Sequence, residues 1–302
     1  MDPFARYIQQ AQEIESQGLA CSTNKVYRNR LAKYEQDMRT IFGQEPYPLT
    51  HEKMVGYLTY RREKGKAFST LLNTVTAFSH HLRSQGEENL TVSIAFKRFK
   101  SGLKRTMLGA KYPNQKEPFE KEWFARLAKS MDLATHDDRL FFLTMTMAYS
   151  FFMRISEVRS LRPCDVEIDE ENKVMRVQFW KTKTDQFGSG TVCYIAISDN
   201  IACPAKYCDV LKTLPENSPI WTITDTALNS KLRAKLRGIG IEKLERYSFH
   251  SFRRGGAYHA SERGVQDCVI KAHGRWKSEA YMRYVRVDAV HAGREIAEAL
   301  NG

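Results

Sequence analysis

The chain has 302 residues, 42% of them hydrophobic, and 47 Lys and Arg against 35 Asp and Glu, a formal charge of +12. That apolar share excludes a disordered chain, and the length suits two domains better than one. The excess positive charge selects a polyanionic partner, nucleic acid ahead of an anionic membrane surface.

Residues 1–112 read as amphipathic helices. Ser22 and Thr23 cap a helix whose apolar positions Val26, Tyr27, Leu31 and Tyr34 lead to Ile41 and Phe42, with Gly43 stopping it. Thr50 caps a second, through Met54, Val55, Leu58 and Tyr60. Ser69 opens a third, through Leu72, Val75, Phe78 and Leu82, closed near Gly86. A fourth, over 92–108, sets Lys97, Arg98, Lys100, Lys104 and Arg105 between the apolar Ile94, Phe96, Phe99 and Leu103. So dense a basic set predicts phosphate contacts. This part carries 18 basic against 10 acidic residues, most of the chain's excess.

The polar, proline-bearing segment 113–118 reads as a linker. Beyond it, 119–302 forms a second domain. Helices are predicted over 121–131 and 138–152, then strands over 174–180 and 192–197 as a β-hairpin whose tip carries Lys181 and Lys183. Further helices follow over 226–237, 251–263, 266–273, 278–286 and 288–300. The fold class is mostly α with a small antiparallel β-sheet, an α+β chain. The last predicted helix has an apolar stripe of Ile296, Ala297, Ala299 and Leu300, suited to docking on its own domain or on a neighbour.

The six cysteines are scattered without zinc-site spacing, and the longest apolar run, about 140–153, is too short to span a bilayer. No charged-then-apolar leader opens the chain. The expectation is an intracellular protein with reduced thiols, no metal site, no cofactor and no membrane attachment.

Chemistry concentrates in 250–286. His250 and Arg253 stand three apart, on one face of a helix. A histidine, several arginines and a tyrosine hydroxyl are groups able to open a phosphodiester: the guanidiniums fork onto phosphate oxygens, the imidazole moves a proton, the phenol becomes the covalent carrier. Arg154, directly after an apolar helix, is costly to bury unless it meets an anion. Tyr281 and Tyr284 lie one helical turn apart, so periodicity alone does not choose between them.

These residues resemble the tyrosine recombinases, or phage integrases, over nearly the whole chain. RISEV at 154–158 is similar to the first arginine box, KTKT at 181–184 to the lysine hairpin, HSFR at 250–253 to the His-x-x-Arg box, and GRW at 274–276 to the Gly-x-His/Trp box ahead of the nucleophile. Four boxes in order are specific where each alone is weak. The pattern after GRW looks most like recombinases of eukaryotic mobile elements of the Crypton or DIRS type.

The resemblance implies that Arg154 and Arg253 clamp the scissile phosphate and that Lys183, with Lys181 as competitor, protonates the departing oxygen. It implies that His250 shuttles a proton, that Trp276 packs at the phosphate, with His273 ranked behind it, and that Tyr284 is the nucleophile. The family's common interval from the His/Trp position to the tyrosine is nine residues; Tyr284 lies eight beyond Trp276. Glu157 is expected to orient Arg154 or His250. Lys97, Arg98, Lys100, Lys104, Arg105, Lys181, Arg254 and Arg275 are the expected DNA contacts.

Activity on double-stranded DNA, a homodimer on each site and a homotetramer in the synaptic complex follow, with a nuclear location if the source is eukaryotic. Rival readings are a type IB topoisomerase and a domesticated DNA-binding protein without catalysis.

Overall fold

In the computed structural model the described residues are 20–108, 116–180 and 190–283, with scattered positions before residue 20. The chain divides into two compact units, Met1–Pro113 and Asn114–Gly302.

In the first unit the helices are α1 (Cys21–Phe42), α2 (His51–Glu63), α3 (Phe68–Ser84) and α4 (Ile94–Leu108). Gly43 ends α1 in the left-handed region, φ 61°, where its N–H returns to the Met38 carbonyl. The Thr50 hydroxyl caps α2 by accepting from the Lys53 N–H at 3.3 Å. The core centres on Tyr34, whose ring meets Tyr57 and Phe78 edge-on, each at 5.0 Å, while its hydroxyl donates to the Pro46 carbonyl at 2.8 Å. Buried Asp37 accepts from the Tyr57 hydroxyl at 3.0 Å and pairs with Lys33 at 2.9 Å.

Phe96 and Leu103 of α4 enter this core, but Ile94, expected there, is 72% exposed. Two residues before Phe96 it points roughly 200° round the helix, off the apolar stripe. Val26, Ile41 and Phe42 are likewise exposed where core positions were predicted. Of the basic set on α4, Lys97, Arg98, Lys104 and Arg105 are exposed and Lys100 is half-buried.

The second unit is built on α6. After α5 (Trp123–Ser130), α6 (His136–Ser150) buries every residue from Leu140 to Tyr149, because α9 (Phe249–Glu262) and a 3₁₀ helix over Pro204–Thr213 both pack on it. Then come α7 (Ile155–Ser160) and an antiparallel sheet of β1 (Val166–Asp169), β2 (Val174–Phe179) and β3 (Thr191–Ala196) in the order β1-β2-β3. Val177 of β2 faces Val166 on one side and Cys193 on the other, and Met175, Val177 and Phe179 alternate into the core. β1 was not predicted: the expected hairpin is a three-stranded sheet. α8 (Asp225–Gly238) and α10 (Asp267–His273) complete the unit, followed by a 3₁₀ turn over Glu279–Arg283 where an α-helix was expected. The predicted helix over 288–300 lies outside the described residues.

Residues 116–118, read as linker, are fastened to this unit. The Lys116 ammonium donates to the Glu245 carbonyl at 2.5 Å and the Glu117 N–H to the Arg246 carbonyl at 3.0 Å. Two glycines set the depth of α9. A Cβ at Gly255 would fall 2.2 Å from the Phe119 carbonyl oxygen, and one at Gly256 2.3 Å from that of Tyr149. Only glycine lets the helix carrying His250 and Arg253 come so close to Phe119 and to α6.

Candidate active site

The site grows from the C-terminus of α6. The chain leaves that helix through Phe152 at φ 47°, a left-handed conformation unusual for an aromatic residue, and Arg154 becomes the N-cap of α7. Glu157, three residues on, turns back: one oxygen accepts from the Arg154 N–H at 2.9 Å and the other from its guanidinium at 2.6 Å. Arg154 itself is partly exposed, with a side chain 19% accessible.

Beneath this pair lies Arg275, expected at the surface as a DNA contact. It is buried, and its guanidinium donates to Glu157 at 2.9 Å, to the Phe151 carbonyl at 3.0 Å and to the His273 carbonyl at 2.9 Å. It also lies 3.9 Å from the centre of the Phe179 ring. The surface position expected of Arg275 is corrected: it is an enclosed cation that donates to groups of the protein itself. Burial alone would push the Glu157 carboxyl up. The charge of Arg275, the Arg154 N–H and the charges of Arg154 and Arg253 overrule it and hold Glu157 below the usual carboxylate range.

Arg253, 1% exposed, sends its guanidinium to the carbonyls of Phe152 and Gly274, the latter at 2.6 Å, and lies over the Trp276 indole. Trp276 is itself buried, packed on Phe152 and Tyr281. His250 sits in the first turn of α9, where Ser248 accepts its N–H. The protein crowded around its ring, then the charges of Arg253, Arg254 and Arg154, push the imidazole down to about 4. The residue as a whole keeps an exposed surface. Solvent there makes the shift smaller than full burial would give without changing its sign, so the ring is neutral at pH 7 and able to accept a proton.

Arg254 donates to the Lys116 carbonyl at 2.9 Å, and its charge also acts on the His250 ring. His273 is a packing residue, its Nε2 donating to the Ser150 carbonyl at 2.8 Å and its ring against Phe151 and Phe152. Lys181, Lys183 and Tyr284 lie outside the described residues. Thus Arg154, Arg253, His250 and Glu157, drawn from two sequence regions about a hundred residues apart, share one neighbourhood. Two buried or half-buried guanidiniums beside a neutral imidazole make a setting for a tetrahedral oxyanion.

Residues 120–291 match the model of the phage integrase family. The chain belongs to the phage integrase family. Its fold is that of the tyrosine recombinases. A structure of the Tn1549 transposon integrase in complex with circular intermediate DNA is similar at TM-score 0.62 and 14% identity, covering 95% of this chain and 97% of that one. The XerH site-specific recombinase bound to palindromic difH substrate gives TM-score 0.65 at 14% identity, over 93% and 80%. A lambda integrase dimer bound to a COC′ core site gives 0.62 at 12%, over 96% and 97%. No curated protein sequence matches this integrase-family chain. Among the described residues no cluster of His, Cys, Asp and Glu could hold a metal ion, and no helix is long and apolar enough to cross a membrane.

What sequence reading missed is the underside of the site. Arg275 as a brace for Glu157, and the Phe152 carbonyl as an anchor for Arg253, have no local signature. A buried arginine reads like any surface cation until the chain is folded.

Proposed function

We propose that this phage-integrase-family chain is a site-specific DNA recombinase of a mobile element, most like the Crypton or DIRS type, that cuts and rejoins duplex DNA through a 3′-phosphotyrosyl intermediate. The observation that supports it is the common neighbourhood of Arg154, Arg253 and His250 around Glu157. The DNA-bound state of the similar Tn1549, XerH and lambda proteins agrees with it.

In this reading Arg154 and Arg253 neutralise charge growing on the non-bridging oxygens, a contribution of several kcal/mol in such sites. The Tyr284 oxygen bonds to phosphorus as the bond to the 5′ oxygen breaks. His250 receives the phenol proton and Lys183 gives one to the departing oxygen. The phosphotyrosine keeps the bond energy, so rejoining needs no ATP, metal or other cofactor. Two dimers, each on its own site, would join as a tetramer through a Holliday junction. Lys97, Arg98, Lys100, Lys104, Arg105 and Lys181 hold backbone phosphates.

A nicked duplex carrying candidate element ends tests this. Wild type should give a covalent protein–DNA band that EDTA leaves intact and Tyr284→Phe abolishes. Chelator-sensitive cleavage without an adduct would mean a nuclease. A complex that stays monomeric on its site would mean a topoisomerase.

A further inference from the structure

Arg275 occupies an unusual place for a side chain of its charge. Its backbone is in the left-handed region at φ 57°, a conformation unfavourable for a residue with a Cβ. Its side chain is 3% accessible, and the carboxylate it meets, Glu157, is 1% accessible. The Glu157 oxygen that takes Arg275 at 2.9 Å is the same one that takes the Arg154 N–H at 2.9 Å. The other oxygen takes the Arg154 guanidinium at 2.6 Å. Glu157 is thus held from below and holds Arg154 from its inner side. The Arg275 nitrogen that meets Glu157 also donates to the Phe151 carbonyl, its other terminal nitrogen donates to the His273 carbonyl, and the Phe179 ring closes its face.

A buried ion pair adds little to stability against an apolar substitute, but breaking one partner away leaves an uncompensated buried charge. The arrangement is therefore explained better by the geometry it imposes than by any stability it confers. A long, partly exposed arginine has many rotamers; one whose guanidinium and backbone N–H are both tied to a fixed carboxylate has few.

We infer that Arg275 is a positioning residue that sets the pose of the Arg154 guanidinium by holding the Glu157 carboxylate in place. The inference rests on the recombinase reading for its catalytic meaning and goes beyond it, because it gives Arg275 a role exerted through Glu157 rather than on DNA. Arg154 then meets the phosphate already oriented. Misplacement of a clamp group by about 1 Å costs on the order of 100-fold in rate.

The test uses the full chain with Arg275→Gln, Glu157→Gln and the double variant, each read by adduct formation on pre-bound suicide duplex, by DNA affinity at several salt concentrations and by the Arg154 Nη1–H signal, the proton donated to Glu157, in side-chain NMR. Arg275→Gln should slow adduct formation about 100-fold at unchanged affinity and unchanged salt slope. The double variant should be no slower than the worse single one, since both act on one path. The Arg154 signal, protected in wild type, should exchange rapidly with water in both single variants.

Weakened binding with a salt slope reduced by about 1, and wild-type cleavage of bound DNA, would make Arg275 a phosphate contact and overturn the inference. Losses that multiply in the double variant would overturn it as well. Arg275→Lys guards against misfolding: it keeps the charge but not the fork, so it should fold and still lose rate and Arg154 protection. If wild type forms no adduct at all, the recombinase reading fails by itself. The Arg154 signal then decides the inference alone, an unchanged signal in Arg275→Lys refuting it.

Discussion

The Arg253 guanidinium lies over the indole of Trp276, its central carbon 4.0 Å from the ring centre. The main-chain oxygens of Phe152 and Gly274 also hold the cation, and the indole supports it from one side. Trp276→Ala should cost about 3–5 kcal/mol of stability and abolish adduct formation, whereas Trp276→Phe should keep the fold and most of the adduct. Thermal melting beside the suicide-substrate assay measures both. A stable Trp276→Ala protein with wild-type cleavage would show that Arg253 needs no such support.

Tyr281 and Tyr284 are inseparable by periodicity. Tyr281 is buried, and its hydroxyl donates to Asp267 at 3.3 Å. Loss of hydration, then the charges of Asp267 and Glu279, push its phenol up to about 12. A phenol so reluctant to ionise, with its proton engaged by a carboxylate, is a poor nucleophile. Tyr281→Phe should retain the covalent band and melt slightly lower, having given up one hydrogen bond. Disappearance of the band in Tyr281→Phe would transfer the nucleophile's role to it.

The depressed imidazole of His250 gives a pH prediction whose sign is fixed by linkage. Its folded pKa of about 4 lies below the ordinary unfolded value of roughly 6.5, so on acidification the unfolded chain takes the proton first. Stability therefore rises with pH between about 4 and 6.5 and is lost as pH falls through that window. Arg253, Arg254 and Arg154 are the charges facing the ring. His250→Gln should flatten this part of the melting-temperature profile. It should also slow adduct formation by about 100-fold or more and remove the acid limb of the rate profile. An unchanged acid limb in His250→Gln would assign the proton transfer to another group.

The exposed cations of α4 predict a salt effect. Replacing Lys97, Arg98, Lys104 and Arg105 by Gln should weaken binding to all duplexes alike and lower the slope of log affinity against log salt by about 0.9 for each phosphate no longer neutralised. The helix should be as stable as before, because none of the four is buried. Titration of labelled duplex at several salt concentrations gives the slope; a slope that does not move would place the DNA on another face.

The long helices were legible in their apolar residues: at the helical period in the run through Tyr27 and Leu31 to Tyr34 on α1, and as a nearly continuous apolar stretch, broken by Thr144 and Thr146, in the middle of α6. β1 was not: four residues with only Val166 and Ile168 apolar carry too short a pattern to stand out. The 3₁₀ helix over Pro204–Thr213 escaped for a related reason, since its three-residue turn leaves no 3.6 period. At the site, Arg154, Glu157, His250 and Arg253 could be named because their spacing within short boxes survives in sequence. Arg275 could not, because its partners Glu157, Phe151 and Phe179 are all about a hundred residues away. Counting nine back from Tyr284 lands on Arg275 rather than Trp276, the one linear hint that this position differs from an ordinary surface arginine.

The carbonyl oxygen of Phe152 receives both Arg253 and Arg275, at 3.3 Å for the latter. Every amino acid supplies that oxygen, so replacing the side chain at 152 cannot delete the tether. Selection there acts on the buried ring that packs against Trp276 and His273 and on how readily a residue takes the left-handed turn that aims the oxygen inward. Among descendants of this gene, position 152 should stay aromatic and refuse valine, isoleucine and threonine, while the grip on the two arginines passes on intact.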